Sequence, residues 1–245
     1  MKLSATDKQW NEWGKKNPYL GVLGVESSSM NQADVEAAFF ASGEAHIASV
    51  IDTITRHFGG MSNTSSALDF GCGVGRLVLP LSRRFDRVTG VDISPTMIEV
   101  ARGHVSADPR IDFVERLSTL EPERRYDLVH SYIVIQHIRP EQGYQIITSL
   151  LDRVAPSGFF ALHMTVGDLS RTRHILNVLR YRLPPLHWVY NVARRRPWDE
   201  PITEMNRYDL ARLMQLMRGR YEGALAIRDF DQNGHVGVMI IGKCL

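Results

Sequence analysis

The sequence predicts an α/β fold: a doubly wound, mostly parallel sheet that ends in an antiparallel pair of strands. Three observations carry this. Short apolar runs at 67–70, 87–92, 110–115, 126–135 and 158–166 alternate with segments of helical apolar spacing. That alternation marks βαβ units, whose right-handed crossovers place helices on both faces of a sheet. The first run leads straight into a glycine-rich turn, "ALDFGCGVGRL" at 67–77. The chain then closes with two apolar runs, "GALAIRDF" and "HVGVMIIGKC", joined by "DQNG", and Asn-Gly is a strong hairpin signal.

The elements follow in order. Residues 1–30 are polar, with Trp10, Trp13 and Tyr19 among them. From Asp34 to Phe58, Val35, Ala38, Phe39, Ile47, Val50, Ile51 and Ile54 recur at threes and fours, which predicts a helix. Gly43 inside it costs about 1 kcal/mol against Ala, so close packing or ligand approach is expected there. Residues 76–84 suit a helix after the glycine turn. Ser94 can cap a helix that has Pro95 in its first turn and runs through Arg102. A further helix is expected over 140–154 and a last one over 205–218. Between the fifth strand and that last helix, Pro184-Pro185 divides an insert into two short amphipathic helices.

Composition bounds the function. With 44% hydrophobic and 23% charged residues in 245, the chain is globular rather than disordered. A formal charge of +2 does not by itself imply nucleic acid. The N-terminus lacks a signal-peptide core, and no window approaches the ~18 apolar residues of a spanning helix. Cys72 and Cys244 form no disulfide framework, so a reducing cytoplasm is the expected location.

A doubly wound sheet binds ligands beyond the carboxyl ends of its strands. Gly71, Gly73 and Gly75 would let a ligand approach the backbone there. A dinucleotide fingerprint needs its third glycine where Arg76 stands, so a pyrophosphate is not indicated. Asp92 ends the second strand, where a carboxylate can accept both hydroxyls of a ribose. Asp69 lies inside the first strand and needs a hydrogen-bond partner there.

Together, "LDFGCGVGR", "VTGVDISPTMIEVAR" and "YDLVHSYIVIQHI" resemble the motifs of class I S-adenosylmethionine-dependent methyltransferases, over roughly residues 64–166. The resemblance implies a Rossmann-like, seven-stranded sheet and S-adenosylmethionine as cofactor. It implies that Asp69, Gly71, Cys72, Gly73 and Gly75 cradle the methionine part and that Arg76 reaches its carboxylate. Asp92 would hold the ribose, Ile93 and Met97 the adenine, and Ser131 and Tyr132 the methionine amine and sulfonium. Many members carry an acid after the third strand for the adenine amino group. Leu117 and Ser118 stand there instead, so backbone groups of Leu117 are the expected substitute. One methyltransferase domain is expected: an N-terminal helical lid at 1–60, a cofactor-binding core at 64–166, a helical cap insert at 167–205, and the last helix and hairpin at 206–245.

Methyl transfer is an in-line displacement, so the protein mainly aligns the reactants and excludes water. A base is needed only for a hydroxyl or ammonium acceptor. His137, after the fourth strand, is the candidate base; the alternative is that Gln136 and His137 simply start the next helix. His163 is read as a satisfied core or rim histidine, and Cys72 as a packing residue. Asp168 has no ligand cluster around it, so no metal is expected. "NPY" at 17–19 resembles a nucleobase-amino methylation motif but stands in the wrong place for one.

The stretch 169–198 holds seven Arg and no Asp or Glu. It is open to three readings: a cap that attracts an anionic acceptor, a contact with an anionic membrane carrying a lipid-linked acceptor, or a solvated basic face. Met205, Asn206 and Tyr208 are candidates for the edge of the acceptor pocket. The expected function is methyl transfer to oxygen or nitrogen of a small molecule such as a sugar, glycolipid or secondary metabolite. An RNA acceptor is one alternative, weakened by the lack of a separate RNA-binding module. A non-catalytic cofactor-binding scaffold is the other.

Overall fold

Helix α1, Gln32–Phe58, lays Ile47, Val50 and Ile54 on one stripe, and all three are buried against the sheet. The computed structural model describes residues 32–105, 108–169, 179, 183–193, 198, 205–232 and 234–245. Trp10, Trp13, Tyr19, the 17–19 tripeptide, Arg194–Arg196 and most of 170–182 lie outside them. The strands are β1 Ser66–Phe70, β2 Arg87–Val91, β3 Ile111–Val114, β4 Tyr126–Ser131, β5 Val154–Asp168, β6 Tyr221–Gln232 and β7 His235–Cys244. They form one seven-stranded sheet in the order β3-β2-β1-β4-β5-β7-β6. The first five pair in parallel, and β7 runs antiparallel to both β5 and β6. The winding reverses between β1 and β4, so the crevice at their carboxyl ends is the switch point.

Helices α2 Val78–Ser82 and α3 Pro95–His104 pack with α1 on one face. Helices α4 Pro140–Leu151 and α6 Leu210–Met217 cover the other. Helix α5, Pro184–Ala193, belongs to the insert. Ser94 caps α3 as the sequence predicts, its Oγ accepting from Met97 N, and Asp209 caps α6, its Oδ1 accepting from Arg212 N.

Strand alternation places the polar residues. Ala67 faces the α1 side and Leu68 the α4 side, so Asp69 returns to the α1 side. Leu128 and Val129 alternate likewise and put His130 beside it, as do Ala161 and Leu162 for His163.

Two boundaries depart from the sequence pattern. Strand β4 stops at Ser131 although the apolar run continues to Ile135, because Ile133 has φ +63°. A β-branched residue rarely adopts that conformation, and here the Ile133 N–H donates to His163 Nδ1 at 3.2 Å. Helix α6 begins at Leu210 rather than at Met205, because Tyr208 turns into the core. Its hydroxyl lies 2.9 and 2.8 Å from the carbonyls of Ile135 and Ile138.

Gly143 in α4 is explained by the same hydroxyl, since a Cβ there would overlap Tyr208 Oη. Ala in place of a helical Gly would ordinarily add about 1 kcal/mol. The overlap reverses the sign, and Gly143→Ala is expected to destabilise by about 1–3 kcal/mol. Thermal unfolding of Gly143→Ala, Tyr208→Phe and the double variant checks this. The double variant should lose less than the sum of the singles, because Phe lacks the overlapping oxygen.

Candidate active site

The turn after β1 is built on three glycines in the left-handed region: Gly71, Gly73 and Gly75 have φ of 76°, 53° and 86°. A Cβ on Gly71 would overlap the Val134 side chain, whereas one on Gly73 would meet nothing within 4 Å. Gly73 therefore borders open space. The amides of Gly71 and Cys72 both donate to the Val91 carbonyl, at 2.7 and 3.0 Å. The next amide, Gly73 N, donates to Asp92 Oδ2 at 2.8 Å, and Ser94 N donates to Oδ1 at 2.9 Å. Burial pushes the Asp92 carboxyl up to about 6, against the pull of those two amides and with a further upward push from Asp69.

Beside the turn lies a buried polar chain. Asp69 is 1% exposed and His130 fully buried. They are register neighbours on β1 and β4, with His130 Nδ1 2.9 Å from Asp69 Oδ1. His46, half-buried on α1, places its Nε2 3.0 Å from His130 Nε2. A carboxylate only accepts, so Nδ1 of His130 carries the proton; a neutral His130 then accepts at Nε2 from His46 Nε2–H. The His46 ring stacks on Tyr132, centroids 3.8 Å apart. Burial is the main cause that drives His46 down to about 2, with His130 and Arg76 adding to it. Burial likewise takes His163 down to about 3, helped by His137 and His130.

Arg76 is 5% exposed and sits 5.5 Å from the ring centroids of both Phe39 and Tyr132. Its Nη1 donates to Ser42 Oγ at 3.1 Å. Burial lowers its pKa, and the Tyr132 and Asp69 charges oppose that. Among the described residues no carboxylate forms an ion pair with Arg76, and Asp69 Oδ2, though buried, has no hydrogen-bond partner. A guanidinium without a counter-ion and a carboxylate oxygen without a donor, at the two ends of the glycine turn, match the carboxylate and ammonium of an amino acid. Gly43 shows how closely α1 lies on the turn, since a Cβ there would overlap the Arg76 carbonyl.

The other sequence-selected residues are placed as follows. Ser131 is buried, and its Oγ donates to the Phe70 carbonyl at 3.0 Å. Ile93 is half-buried beside Asp92. Met97 packs with Phe39 and Val74. Leu117 and Ser118 open a 3-10 turn, where the Leu117 carbonyl accepts from Arg153 at 3.0 Å. Cys72 is buried, which raises its pKa. His137 is 6% exposed in a 3-10 turn over Ile135–His137, its Nε2 3.2 Å from Gln136 Nε2. Asn206 N donates to the Gln136 carbonyl at 2.7 Å, so the 205–208 segment seats the His137 turn. Asp168 holds His235 Nδ1 at 2.5 Å and Arg207 at 3.1 Å. Among the described residues no three His, Cys, Asp or Glu gather as a metal site, and no helix is long and apolar enough to cross a membrane. Sequence reading passed over Phe39, Ser42, His46 and His130. For His130 a signal existed, since strand parity sets it beside Asp69. His46 reaches the site only through the docking of α1.

Residues 67–158 match the methyltransferase domain family. The matched segment is similar to the domain of class I S-adenosylmethionine-dependent methyltransferases. Over 110 residues it is 34% identical to the mitochondrial ubiquinone biosynthesis O-methyltransferase of Schizosaccharomyces pombe, covering 43% of this chain and 38% of that one. Over 162 residues it is 28% identical to the trans-aconitate 2-methyltransferase of Enterobacter sp. (strain 638), covering 60% and 62%. The chain thus matches less than two thirds of the length of either relative. The fold of the methyltransferase domain is shared with magnesium protoporphyrin IX methyltransferase from Synechocystis PCC 6803, solved with bound S-adenosylhomocysteine. The TM-score is 0.64 at 16% identity, over 98% of each chain.

Asp92, the residue the sequence motifs select for a ribose, is the group whose ionisation should show in that role. A carboxylate must be charged to accept well from ribose hydroxyls, and the Asp92 pKa of about 6 lies above the usual carboxylate value. Affinity for S-adenosylhomocysteine should therefore be level above pH ~7 and fall as pH drops through ~6, by at most about tenfold per unit. Calorimetric titration from pH 5 to 8 checks this, and Asp92→Asn should bind weakly with no such inflection.

Proposed function

We propose that this protein transfers the methyl group of S-adenosylmethionine to an oxygen or nitrogen of a small-molecule acceptor. The observation that carries the reading is the junction of the glycine turn with Asp92, made by Gly73 N–H on Oδ2, next to the unmatched pair Arg76 and Asp69. When bound, the cofactor supplies a methyl group already activated on a positively charged sulfur. The chain's own residues hold and orient. Asp92 accepts from the ribose hydroxyls, while Ile93, Met97, Leu117 and Ser118 border the adenine. Arg76 pairs with the methionine carboxylate, and Asp69 Oδ2 accepts from the ammonium. Ser131 and Tyr132 line the methionine amine and sulfonium. Holding both reactants aligned can lower the barrier by about 7–11 kcal/mol. Where the acceptor is a hydroxyl or an ammonium, His137 is the proposed group to take its proton.

The N-terminal 1–60 segment and the 167–205 insert are proposed to close over the acceptor, and the reaction is assigned to the cytoplasm. Incubation with methyl-labelled cofactor and fractionated cell extract tests the reading, and label should enter small molecules. Label in ribonuclease-sensitive material would make the acceptor RNA. Cofactor binding without transfer to any fraction would leave a scaffold. His137→Ala should lower turnover at saturating cofactor by about 10²–10⁴-fold with S-adenosylhomocysteine affinity unchanged. Near-normal turnover would remove His137 from the mechanism.

A finer reading concerns the acceptor's surroundings. Helix α5 buries Asn191 and exposes Leu186, Trp188, Val189 and Val192, with Trp188 edge-on to Trp198. An apolar, Trp-bearing face within a stretch of seven arginines and no acids suits an anionic lipid surface that carries the acceptor. In vesicle flotation the protein should float with phosphatidylglycerol and not with phosphatidylcholine. Replacing Arg194, Arg195 and Arg196 with Glu should abolish flotation. A wild-type protein that stays unbound on both vesicles would leave the insert as a cap alone.

A further inference from the structure

We propose that His130, seated by His46 of helix α1, is a positioning residue for the cofactor's amino-acid end: it locks Asp69 so that Oδ2 faces the ammonium. The inference rests on the reading of the site as one for S-adenosylmethionine, and extends it to two residues on other elements. A carboxylate free to rotate offers either oxygen to any donor. Here Oδ1 is held by His130 Nδ1–H at 2.9 Å, while Oδ2 stays buried without a partner among the described residues. Rotation would break the one bond and gain none, so Oδ2 is fixed as the free acceptor.

His130 can play this part only in one tautomer. With its proton on Nε2, a bare Nδ1 lone pair would face the carboxylate. A neutral His130 with Nδ1–H on Asp69 leaves Nε2 bare, 3.0 Å from His46 Nε2, and a His46 Nε2–H donated there holds the tautomer that donates to Asp69. His46 in turn is fixed in plane by its stack on Tyr132. The polar chain therefore begins on α1, crosses β4 and ends on β1 at the glycine turn. Its open end is an acceptor for one cationic donor. A hydrogen-bond partner on the second ring nitrogen of a metal-bound histidine fixes its tautomer and orientation in the same way.

The test compares two ligands that differ only at this end. S-adenosylhomocysteine carries the amino-acid group; 5′-methylthioadenosine has the same adenosine and thioether without it. Full-length protein is titrated calorimetrically with each. His130→Leu should weaken S-adenosylhomocysteine by about tenfold, the loss of one hydrogen bond to a charged group, and leave 5′-methylthioadenosine unchanged. His130→Asn, whose amide nitrogen stands where Nδ1 stood, should recover most of the affinity. His46→Phe keeps the stack and loses the donor, so it should lower the ratio of the two affinities in the same direction. Should His130→Leu not fold, His130→Asn against His46→Phe decides alone. Equal losses for both ligands, or affinities unchanged in every variant, would overturn the proposal. A wild-type protein that binds neither ligand would instead overturn the cofactor reading beneath it.

Discussion

Three consecutive amides hold the turn after β1 to the end of β2, and the rest of the site depends on that junction. Gly71 and Cys72 donate to the Val91 carbonyl and Gly73 to the Asp92 carboxylate. For amides in sequence to point the same way, the backbone must enter the left-handed region. That costs a residue with a Cβ about 1–2 kcal/mol each time, and three glycines avoid it. The junction fixes the separation between the turn and the carboxylate before any ligand arrives. A site assembled this way does not have to reorganise when charge shifts within it.

The buried charges around the junction follow from the same economy of motion. Asp69 and Arg76 both lie out of water, and a buried ion without its complement is costly by several kcal/mol, roughly. Hydrophobic side chains of similar size would make a more stable crevice. On the proposed function, the unmatched groups are half of an arrangement that a zwitterion completes. Ile133 tells the same story in the backbone: a β-branched residue at φ +63° persists because His163 accepts its N–H and Val134 packs on Gly71. Strain and unpaired charge thus gather at the switch point, while the faces under α4 and α6 are apolar and ordinary.

What could be read from the sequence was whatever lies close together along the chain. Strand, glycine turn, helix and the Asp92 strand end fall within about thirty residues, and their period and spacing suffice to identify them. Asp69 was legible as an acid that needed a partner, but its partner was not. His130 is 61 positions away and His46 a further 84 before it, and only the pairing of β1 with β4 and the docking of α1 unite them. The same reason explains the misplaced boundaries. "YIVI" looks like strand because apolar residues continue, yet the bond from Ile133 to a distant His163 ends it. "MNRYDL" looks like helix start because the periodicity allows it, yet Tyr208 is drawn into a hole that Gly143 leaves open. Tertiary contacts override local preference at these points.

Helix α1 connects the two kinds of evidence. Its inward stripe is apolar at Ile47, Val50 and Ile54, then becomes polar at His46 and Ser42 before Phe39 closes it. A stripe that changes character partway along a helix shows where the helix leaves the core and enters a crevice. Gly43 lies at that crossing and lets the helix rest on the Arg76 carbonyl. The apolar half therefore seats α1, and its seating brings Ser42 to Arg76 and His46 to His130. A ligand that favours the ordered Arg76 and Asp69 must favour the docked helix by the same free energy, because the two equilibria are linked. The coupling between cofactor affinity and the docking of α1 is on this account one quantity measured from two ends.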